Sequence, residues 1–533
     1  MIGRLVLSDR NIFKIKSGTK QVSGRKCLIL SESHSEILIK TSKEFSTKDE
    51  YVKIDKHTNT IIEGLGFVGE YQDDLNIYYN LHTLGWMSNS KYSKLWDSIN
   101  TNFDLTNTRD EYPNQVITID PIGSIDLDDG FSFKWDTDYY YLDIHIADPV
   151  SFFDTNNPYM LTILQELLTR LQTCYIGLIK SKSTGNINKP IYPLYPTHLL
   201  PEKIVRLCSL LEINPSTDIK FRRAISFCFK LSIVTMELVD FQLKFTELTN
   251  IKNYTYENYD QEINLESNLE LKTNLVNLSN GLIVLMGVKL EPIDLNSDIS
   301  LSHRMIEIFM ILTNWQGGNY LVNNIGWTKT IIRTQDSIEF DENFDISQVP
   351  IYARPVLSHG ANYSFGLSTE SNTHYTLGVS NYAHLSSPMR RFIDMLNHLG
   401  FYQIDLEKIF PEFENIYNLE KINYKIKNYK KISNGYDLIK FIKTKSDCLS
   451  DNIEKNKFKA CLFGWTLIQT SNKIKCMLVL NQPQYDFIKI VTVELPQTEL
   501  TQELKKYMEF DVELYYNSNN FKSNKFPFSI KIL

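Results

Sequence analysis

The stretch 117-ITIDPIGSIDLDDGF-131 collects four aspartates within ten positions: Asp120, Asp126, Asp128 and Asp129. Apolar runs of β type lie on both sides of it, at 116–119 and 131–135. The carboxylates are therefore predicted to lie against strands rather than in a solvated loop. Carboxylates in such surroundings need a counter-charge, and the usual one is a divalent cation with hard oxygen ligands. The segment predicts a metal-binding cluster at the end of a strand.

The same aspartates fit more than one kind of site. Three or four carboxylates in one cavity suit Mg²⁺, which also takes substrate phosphate oxygens, and Mn²⁺ fits the same ligands. Two such ions can hold the attacking and leaving oxygens of a phosphodiester. A calcium-binding EF-hand loop is excluded, because a loop starting at Asp126 places Gly130 at the fifth ligand position and Thr137 where the bidentate glutamate belongs. A polar turn with capping aspartates remains the alternative.

A second stretch, 381-NYAHLSSPMRRFIDMLNH-398, reads as the start of a helix. Ser387 is a suitable N-cap, and Pro388 suits the first helical position. Apolar residues at helical spacing would give this helix one buried face: Met389, Phe392, Ile393 and Leu396.

Two arginines, Arg390 and Arg391, fall in the first turn of this predicted helix. Cations are unfavourable there for the helix. They are nevertheless well placed, beside free backbone N–H groups, to receive a phosphate. The alternative is a pair of surface arginines bound to Asp394.

Composition places limits on the class of protein. The chain has 533 residues, of which 42% are apolar and 22% charged, with a net charge of −7. This acidity argues against a protein that coats nucleic acid nonspecifically, although a basic channel is compatible with it. The seven cysteines are scattered and never form C-x-x-C, which favours a reducing, intracellular compartment. Neither a secretory signal nor a transmembrane run is expected.

The residue pattern divides the chain into three parts. Residues 1–100 alternate short β-type runs such as EILIK, YVKI and NIYYNL with turns, and they predict a β-rich unit of the cold-shock or oligonucleotide-binding kind. Residues 101–450 mix strands and helices, with loops or short helices expected at 252–300. Residues 451–533 contain five β-type runs, which fit a small oligonucleotide-binding barrel. The predicted class is α+β.

The chain resembles the RNB catalytic domain of the ribonuclease II/R family in three segments that follow the family's order: ITIDPIGSIDLDDGFSF, LDIHIADP and HYTLGVSNYAHLSSPMRRFIDMLNH. Shorter stretches at 193–211, 222–231 and 331–335 agree as well, and the resemblance covers about 101–440. The family places small RNA-binding β-barrels on both sides of this domain. The resemblance therefore implies an RNB-type catalytic domain flanked by small all-β barrels.

The resemblance also implies an activity. It is that of a processive 3′→5′ exoribonuclease, which hydrolyses single-stranded RNA to nucleoside 5′-monophosphates with one or two Mg²⁺ ions. Asp120, Asp126, Asp128 and Asp129 match the family's carboxylate cluster at the metal. Single-stranded RNA is the expected partner, and an RNA-degradation complex could be a further one, still unidentified.

Individual roles follow from the matched motifs. Asp128 matches the aspartate that the family needs most for catalysis, and Arg390 matches the arginine that holds the scissile phosphate. Arg391 is expected to contact RNA beside it. Tyr175, in QTCYIGL, sits where the family has a tyrosine that stacks on the 3′-terminal base; without the resemblance it reads as a core tyrosine.

Two positions depart from the family pattern. Gly130 stands where the family usually has alanine, and Ile432 stands where members often carry a glutamate near the active site. Two other interpretations also stay open. One is a catalytically impaired RNA-binding protein that keeps the RNB fold. The other is an unrelated carboxylate–metal protein, such as a DNA nuclease or phosphatase, which recognition of the RNA 2′-hydroxyl would separate from a ribonuclease.

Overall fold

The computed structural model describes residues 1–17, 20–31, 35–44, 46–106, 108–176, 196–294, 300–327, 329–336, 348–357, 360–366, 372–412, 418–447, 457–468, 473–481, 490–496, 504–516 and 528–532. Sheets and helices are mixed within these residues, and small β-sheet units stand at both ends of a central α/β part. The predicted α+β class is confirmed. None of the described helices combines the length and the hydropathy that a membrane span requires.

The N-terminal unit is built from six strands: β1 (Ile2–Leu5), β2 (Phe13–Ser17), β3 (Lys20–Ile29), β4 (Glu36–Lys40), β5 (Glu50–Asp55) and β6 (Thr60–Phe67). β1 pairs with β3 and β5, and β6 pairs with β5 and β4, which in turn pairs with β3. Five strands therefore close a ring around a small apolar core that includes Leu5, Cys27 and Val52.

Two helices follow this barrel, α1 (Tyr71–His82) and α2 (Asn89–Trp96). The run NIYYNL at 76–81, predicted as β-type, lies in α1, so that prediction was wrong. Its alternation was misleading because Leu75 and Ile77 are buried from a helix instead. The three domain ranges drawn from the sequence remain predictions.

A seven-stranded sheet forms the centre of the molecule: β7 (Asp110–Tyr112), β8 (Val116–Asp120), β9 (Asp129–Trp135), β10 (Tyr139–Ala147), β11 (Arg222–Ser232), β12 (Leu238–Leu248) and β13 (Ile251–Thr255). Its order is β13-β8-β9-β10-β11-β12-β7. β9 and β10 form an antiparallel hairpin, and β13 runs parallel to β8. Alternate residues such as Phe131, Leu142 and Phe227 turn one face of the sheet towards a helical layer.

The remaining helices cover this sheet and its edges: α3 (Met160–Arg170), α4 (Glu202–Cys208), α5 (Tyr256–Ile263), α6 (Leu269–Met286), α7 (Leu301–Asn319), α8 (Phe392–Phe401), α9 (Leu406–Ile409) and α10 (Leu419–Asp447). α6 and α7 supply the layer on the apolar face. α6 has 18 residues, although loops or short helices were expected at 252–300. Its apolar residues are closely spaced near the C-terminal end, so the sequence shows no clear helical periodicity there.

Two antiparallel two-stranded sheets lie between α7 and α8 in the chain: β14 (Ile331–Thr334) with β15 (Asn362–Phe365), and β16 (Thr373–His374) with β17 (Val379–Ser380). The C-terminal sheet has the order β20-β19-β18-β21-β22. All five strands predicted there are present: β18 (Lys457–Ile468), β19 (Lys473–Leu480), β20 (Ile490–Pro496), β21 (Glu509–Tyr516) and β22 (Phe528–Ile532).

Candidate active site

The aspartate segment lies between two neighbouring strands of the central sheet. Asp120 is the last residue of β8, and Asp129 is the first residue of β9. The turn between them is fixed at Leu127, whose N–H donates to Ser209 Oγ at 3.0 Å and whose carbonyl accepts the Leu210 N–H at 3.0 Å. The sequence prediction of a strand, a bend and a second strand therefore holds, and it places the four aspartates at one end of the sheet.

Gly130 brings the two strands close together. A Cβ at this position would lie 2.9 Å from Val116 Cγ1 and 3.1 Å from the carbonyl oxygen of Ile117. The departure from the family's usual alanine therefore removes a tight contact in this structure.

Asp128 connects the aspartate segment to the arginine stretch. Its side chain is 2% exposed. Oδ1 accepts the Met389 backbone N–H at 2.8 Å, and Oδ2 accepts Arg390 Nε–H at 3.2 Å. Residues about 260 positions apart in the chain thus meet through a single carboxylate, and both of its oxygens are engaged.

The helix start predicted at Ser387 and Pro388 is wrong. Helix α8 begins at Phe392, and the residues before it form a turn. The Ser387 N–H donates to Asp394 Oδ2 at 2.8 Å instead of opening a helix. The turn directs the Met389 N–H towards Asp128, so a tertiary contact takes the place of the local capping pattern.

The two arginines have different partners. Arg390, whose side chain is 46% exposed, pairs with Asp128. Arg391 is held by Asp394, with Nη2 2.8 Å from Oδ2, and the Asp394 side chain is fully buried. The contact that the sequence offered as an alternative for both arginines therefore exists for Arg391. RNA contact by either arginine remains a prediction.

Burial and mutual repulsion shift the protonation of the aspartates. Burial, together with the neighbouring Asp129 and Asp126 carboxylates, raises the pKa of Asp120 to about 8 against the opposing effect of Arg390. Burial raises the pKa of Asp129 to about 6. It also raises the pKa of Asp128 well above its usual value, although Arg390 and the Met389 N–H favour the charged form. Burial and mutual repulsion therefore outweigh the stabilisation that Arg390 gives to the charged carboxylates.

Two carboxylate oxygens in the cluster are buried without a hydrogen-bond partner among the described residues, Asp120 Oδ2 and Asp126 Oδ2. Within the same part of the chain, no three His, Cys, Asp or Glu side chains converge closely enough to hold a metal ion. Mg²⁺ commonly takes only one or two protein carboxylates, and waters and substrate phosphates complete its shell. Asp120 and Asp126 fit that donor set, and metal binding by the four aspartates stays a prediction.

Tyr175 lies beside Arg390. The backbone N–H of Thr173 donates to the Arg390 carbonyl at 2.9 Å, and Gln172 forms a β-bridge with Arg391. The Tyr175 side chain is 60% exposed, so it is not the core tyrosine that the sequence alone suggested. Desolvation raises the pKa of its hydroxyl to about 12, and Asp126 and Asp128 add to this while Arg390 opposes it. Base stacking by Tyr175 remains a prediction.

Two further side chains that the sequence did not single out lie at the cluster. The pKa of Tyr256 is raised to about 12 by burial and by Asp129 and Asp120. His198 Nδ1 lies 3.5 Å from Asp126 Oδ2. Parallel pairing of β13 with β8, which sets Thr255 opposite Asp120, brings Tyr256 to the site. No local motif carries that information.

Ile432, on α10, packs against an apolar cluster that includes Leu75, Cys174 and Tyr436. Cys174 precedes Tyr175, so this part of α10 lies behind the segment that presents the tyrosine. An isoleucine suits these surroundings, and the structure supplies no acidic group at position 432.

Comparison with known proteins identifies the central part of the chain. The family model described as the RNB domain matches residues 192–404. Residues 192–404 therefore carry an RNB domain. The matched residues include Arg390 and Arg391, and they begin after the aspartate segment. The resemblance drawn from the sequence motifs is confirmed.

Curated relatives match over part of their length. A Ribonuclease R of Chlamydia pneumoniae is 25% identical over 332 residues, which is 53% of this chain and 45% of that protein. An Exoribonuclease 2 of Buchnera aphidicola is 29% identical over 125 residues, which is 18% of this chain and 19% of that protein. The chain thus spans less than half the length of either relative.

Solved structures share the fold at low sequence identity. The RNase R of Mycoplasma genitalium, in complex with ribose-methylated single-stranded RNA, has a TM-score of 0.63 at 14% identity, over 100% of this chain and 89% of that one. An active-site mutant of the Dss1 exoribonuclease from Candida glabrata has a TM-score of 0.57 at 17% identity, over 80% and 56%. Yeast Ssd1, a pseudonuclease, has a TM-score of 0.60 at 13% identity, over 97% and 67%. The fold is therefore shared with proteins named as ribonucleases and with one named as a pseudonuclease.

Proposed function

We propose that the chain is a processive 3′→5′ exoribonuclease that hydrolyses single-stranded RNA to nucleoside 5′-monophosphates. The observation that carries the proposal is the meeting of the aspartate segment and the arginine turn at Asp128, with Met389 N–H 2.8 Å from Oδ1 and Arg390 Nε 3.2 Å from Oδ2. This contact joins an acidic cluster and a cation at one place, an arrangement suited to stabilising the charge that develops when a phosphodiester is hydrolysed.

Each side chain of the site has a task in this reaction. Asp128 holds Arg390 by its Nε–H group, and the half-exposed guanidinium binds the scissile phosphate. Tyr175 offers an exposed ring to the last base, and such a ring accepts any base alike. Asp120 and Asp126, with Asp128 and Asp129 close by, would hold one or two Mg²⁺ or Mn²⁺ ions. Such an ion would supply a lowered pKa for a bound water and stabilisation of negative charge on the phosphate.

A nuclease assay on single-stranded RNA labelled at its 5′ end tests the proposal. With Mg²⁺, we expect shortening from the 3′ end and nucleoside 5′-monophosphates on product chromatography, and EDTA should stop both. DNA of the same sequence should resist, because the 2′-hydroxyl distinguishes the two. Endonucleolytic fragments, nucleoside 3′-monophosphates or equal cleavage of DNA would contradict the proposal.

The second candidate is an RNA-binding protein with the RNB fold and without catalysis. Its support is that both oxygens of Asp128 are already engaged and that a pseudonuclease shares the fold. It predicts RNA binding that EDTA leaves unchanged and no shortening of the RNA with any divalent cation.

A further inference from the structure

Asn314, on the buried side of α7, holds the loop that leads to the arginine turn. Its side chain is 3% exposed. Oδ1 accepts the backbone N–H groups of Leu385 at 2.9 Å and Ser386 at 3.2 Å. Nδ2 donates to Tyr382 Oη at 3.1 Å and lies 3.4 Å from Ser386 Oγ. One amide therefore satisfies two consecutive backbone donors and two hydroxyls of the same loop, residues 381–387.

The backbone of α7 approaches this loop unusually closely. The Asn314 carbonyl accepts the Ala383 N–H at 3.1 Å. One turn further on, a Cβ at Gly318 would lie 1.9 Å from the carbonyl oxygen of Asn381 and 3.0 Å from the Ala383 N atom. Glycine is therefore required for this distance, and the loop lies directly on the helix.

Only two residues separate the held backbone of Ser386 from Met389, which donates to Asp128 at 2.8 Å, and Arg390 comes next. Because so few residues lie between them, fixing Ser386 on Asn314 restricts where Met389 and Arg390 can lie. We propose that Asn314 is a positioning residue: it sets the loop so that Arg390 and the Met389 N–H meet Asp128. This inference rests on the proposed ribonuclease function, because it assigns Arg390 to the scissile phosphate.

A carboxylate in place of the amide would preserve the same contacts. Asp has an oxygen for the two backbone N–H groups, and the hydroxyls of Tyr382 and Ser386 can each donate to the second oxygen. Alanine leaves two buried N–H groups without an acceptor, and the loop must move to satisfy them. Asn314→Asp therefore keeps an acceptor for the two backbone N–H groups, whereas Asn314→Ala removes it.

The test uses the full chain and single-turnover cleavage of a short RNA with Mg²⁺. In Asn314→Ala the cleavage rate should fall about a hundredfold, which is typical when a catalytic group is displaced by about 1 Å. RNA affinity should change little, because Asn314 is buried beneath the loop. Asn314→Asp should recover most of the rate.

Asn280→Ala is the matched control. Asn280 on α6 also holds a loop by both ends of its amide, accepting from Ile293 N–H at 2.7 Å and donating to the Ile293 carbonyl at 3.0 Å. That loop does not lead to Arg390, so the variant should cleave at the wild-type rate. Equal slowing of the two alanine variants, or equal slowing of both Asn314 variants, would overturn the proposal.

Amide hydrogen exchange separates this proposal from the proposed function. In Asn314→Ala, but not in Asn280→Ala, the backbone amides of residues 383–387, 389 and 390 should exchange faster than in the wild type. If the wild-type protein does not cleave RNA, the proposed function fails while this measurement still decides whether Asn314 fixes the loop. Unchanged exchange there would overturn the positioning role.

Discussion

The aspartate cluster should make the metal-free protein less stable as the pH rises. Burial raises the pKa of Asp120 to about 8 and that of Asp129 to about 6, whereas an aspartate in an unfolded chain titrates near 4. For a pKa raised on folding, the stabilising contribution is complete below the unfolded value and is lost as the pH rises through the folded one. The loss should therefore occur between about pH 4 and pH 8.

The magnitude follows from the shift at Asp120. At pH 7 the carboxyl is still mostly protonated in the folded protein, while the unfolded chain has released its proton at about pH 4. With 1.36 kcal/mol for each pKa unit, this difference lowers the free energy of unfolding by up to about 4 kcal/mol. Asp120 and Asp129 repel each other, so their contributions belong to the pair and do not add.

Urea unfolding of the metal-free protein at several pH values, followed by tryptophan fluorescence, measures this loss. Asp120→Asn should remove most of the pH dependence, so the variant should exceed the wild type in stability near pH 8 and match it near pH 4. Mg²⁺ should stabilise the wild type at pH 8 by mass action and the variant less. Asp218→Asn, at an exposed position, is the control. Parallel curves for wild type and Asp120→Asn would refute the reasoning.

Three further predictions address the reaction, and the last compares two substitutions. Asp128→Asn should abolish cleavage of labelled RNA while binding, measured by fluorescence anisotropy, persists; near-normal turnover would remove Asp128 from the catalytic cluster. Tyr175→Ala should leave longer end products on a sequencing gel, because a lost stacking contact of roughly 1–3 kcal/mol lets short RNAs dissociate sooner; unchanged product length would exclude stacking. Arg390→Lys should slow single-turnover cleavage about a hundredfold, whereas Arg391→Lys should chiefly lower thermal stability through its contact with the buried Asp394; equal, small rate effects would place neither arginine at the phosphate.

The sequence predicted the elements whose periodicity matches their burial. The C-terminal strand β19 alternates exposed and buried residues from Lys473 onwards. This alternation is the pattern from which the strands of the C-terminal sheet were predicted. The run at 76–81 failed because alternating Ile and Tyr residues serve equally well in a helix with one buried face. At 269–286 the apolar residues are too dense for a clear helical stripe, so tertiary burial decided the structure.

The site was predictable in its residue types and not in its contacts. Four aspartates in ten positions indicate a metal-binding cluster, and the arginine of a Ser-Pro-x-Arg stretch indicates a phosphate-binding group, whatever contacts they make in the fold. Ser387 nevertheless gives its N–H to Asp394 rather than to a helix cap, because the turn it begins must reach Asp128. Local rules fail most at such functional turns, where a distant contact outweighs a capping preference of about 1 kcal/mol.

Asp128 suggests how one carboxylate can serve both the fold and the reaction. Its burial is unfavourable for the charged form, and an unpaired charge there would destabilise the protein by several kcal/mol. The Met389 N–H and Arg390 offset part of that cost, so the arginine is held where Asp128 is ionised. Loss of the charge at position 128 should therefore release Arg390 as well as alter the acidic cluster. This coupling predicts that Asp128→Asn and Arg390→Ala are non-additive in the free energy of unfolding measured with urea: once position 128 has lost its charge, removing Arg390 should cost little more stability. Equal costs of Arg390→Ala in the wild-type and Asp128→Asn backgrounds would mean that the two side chains act separately.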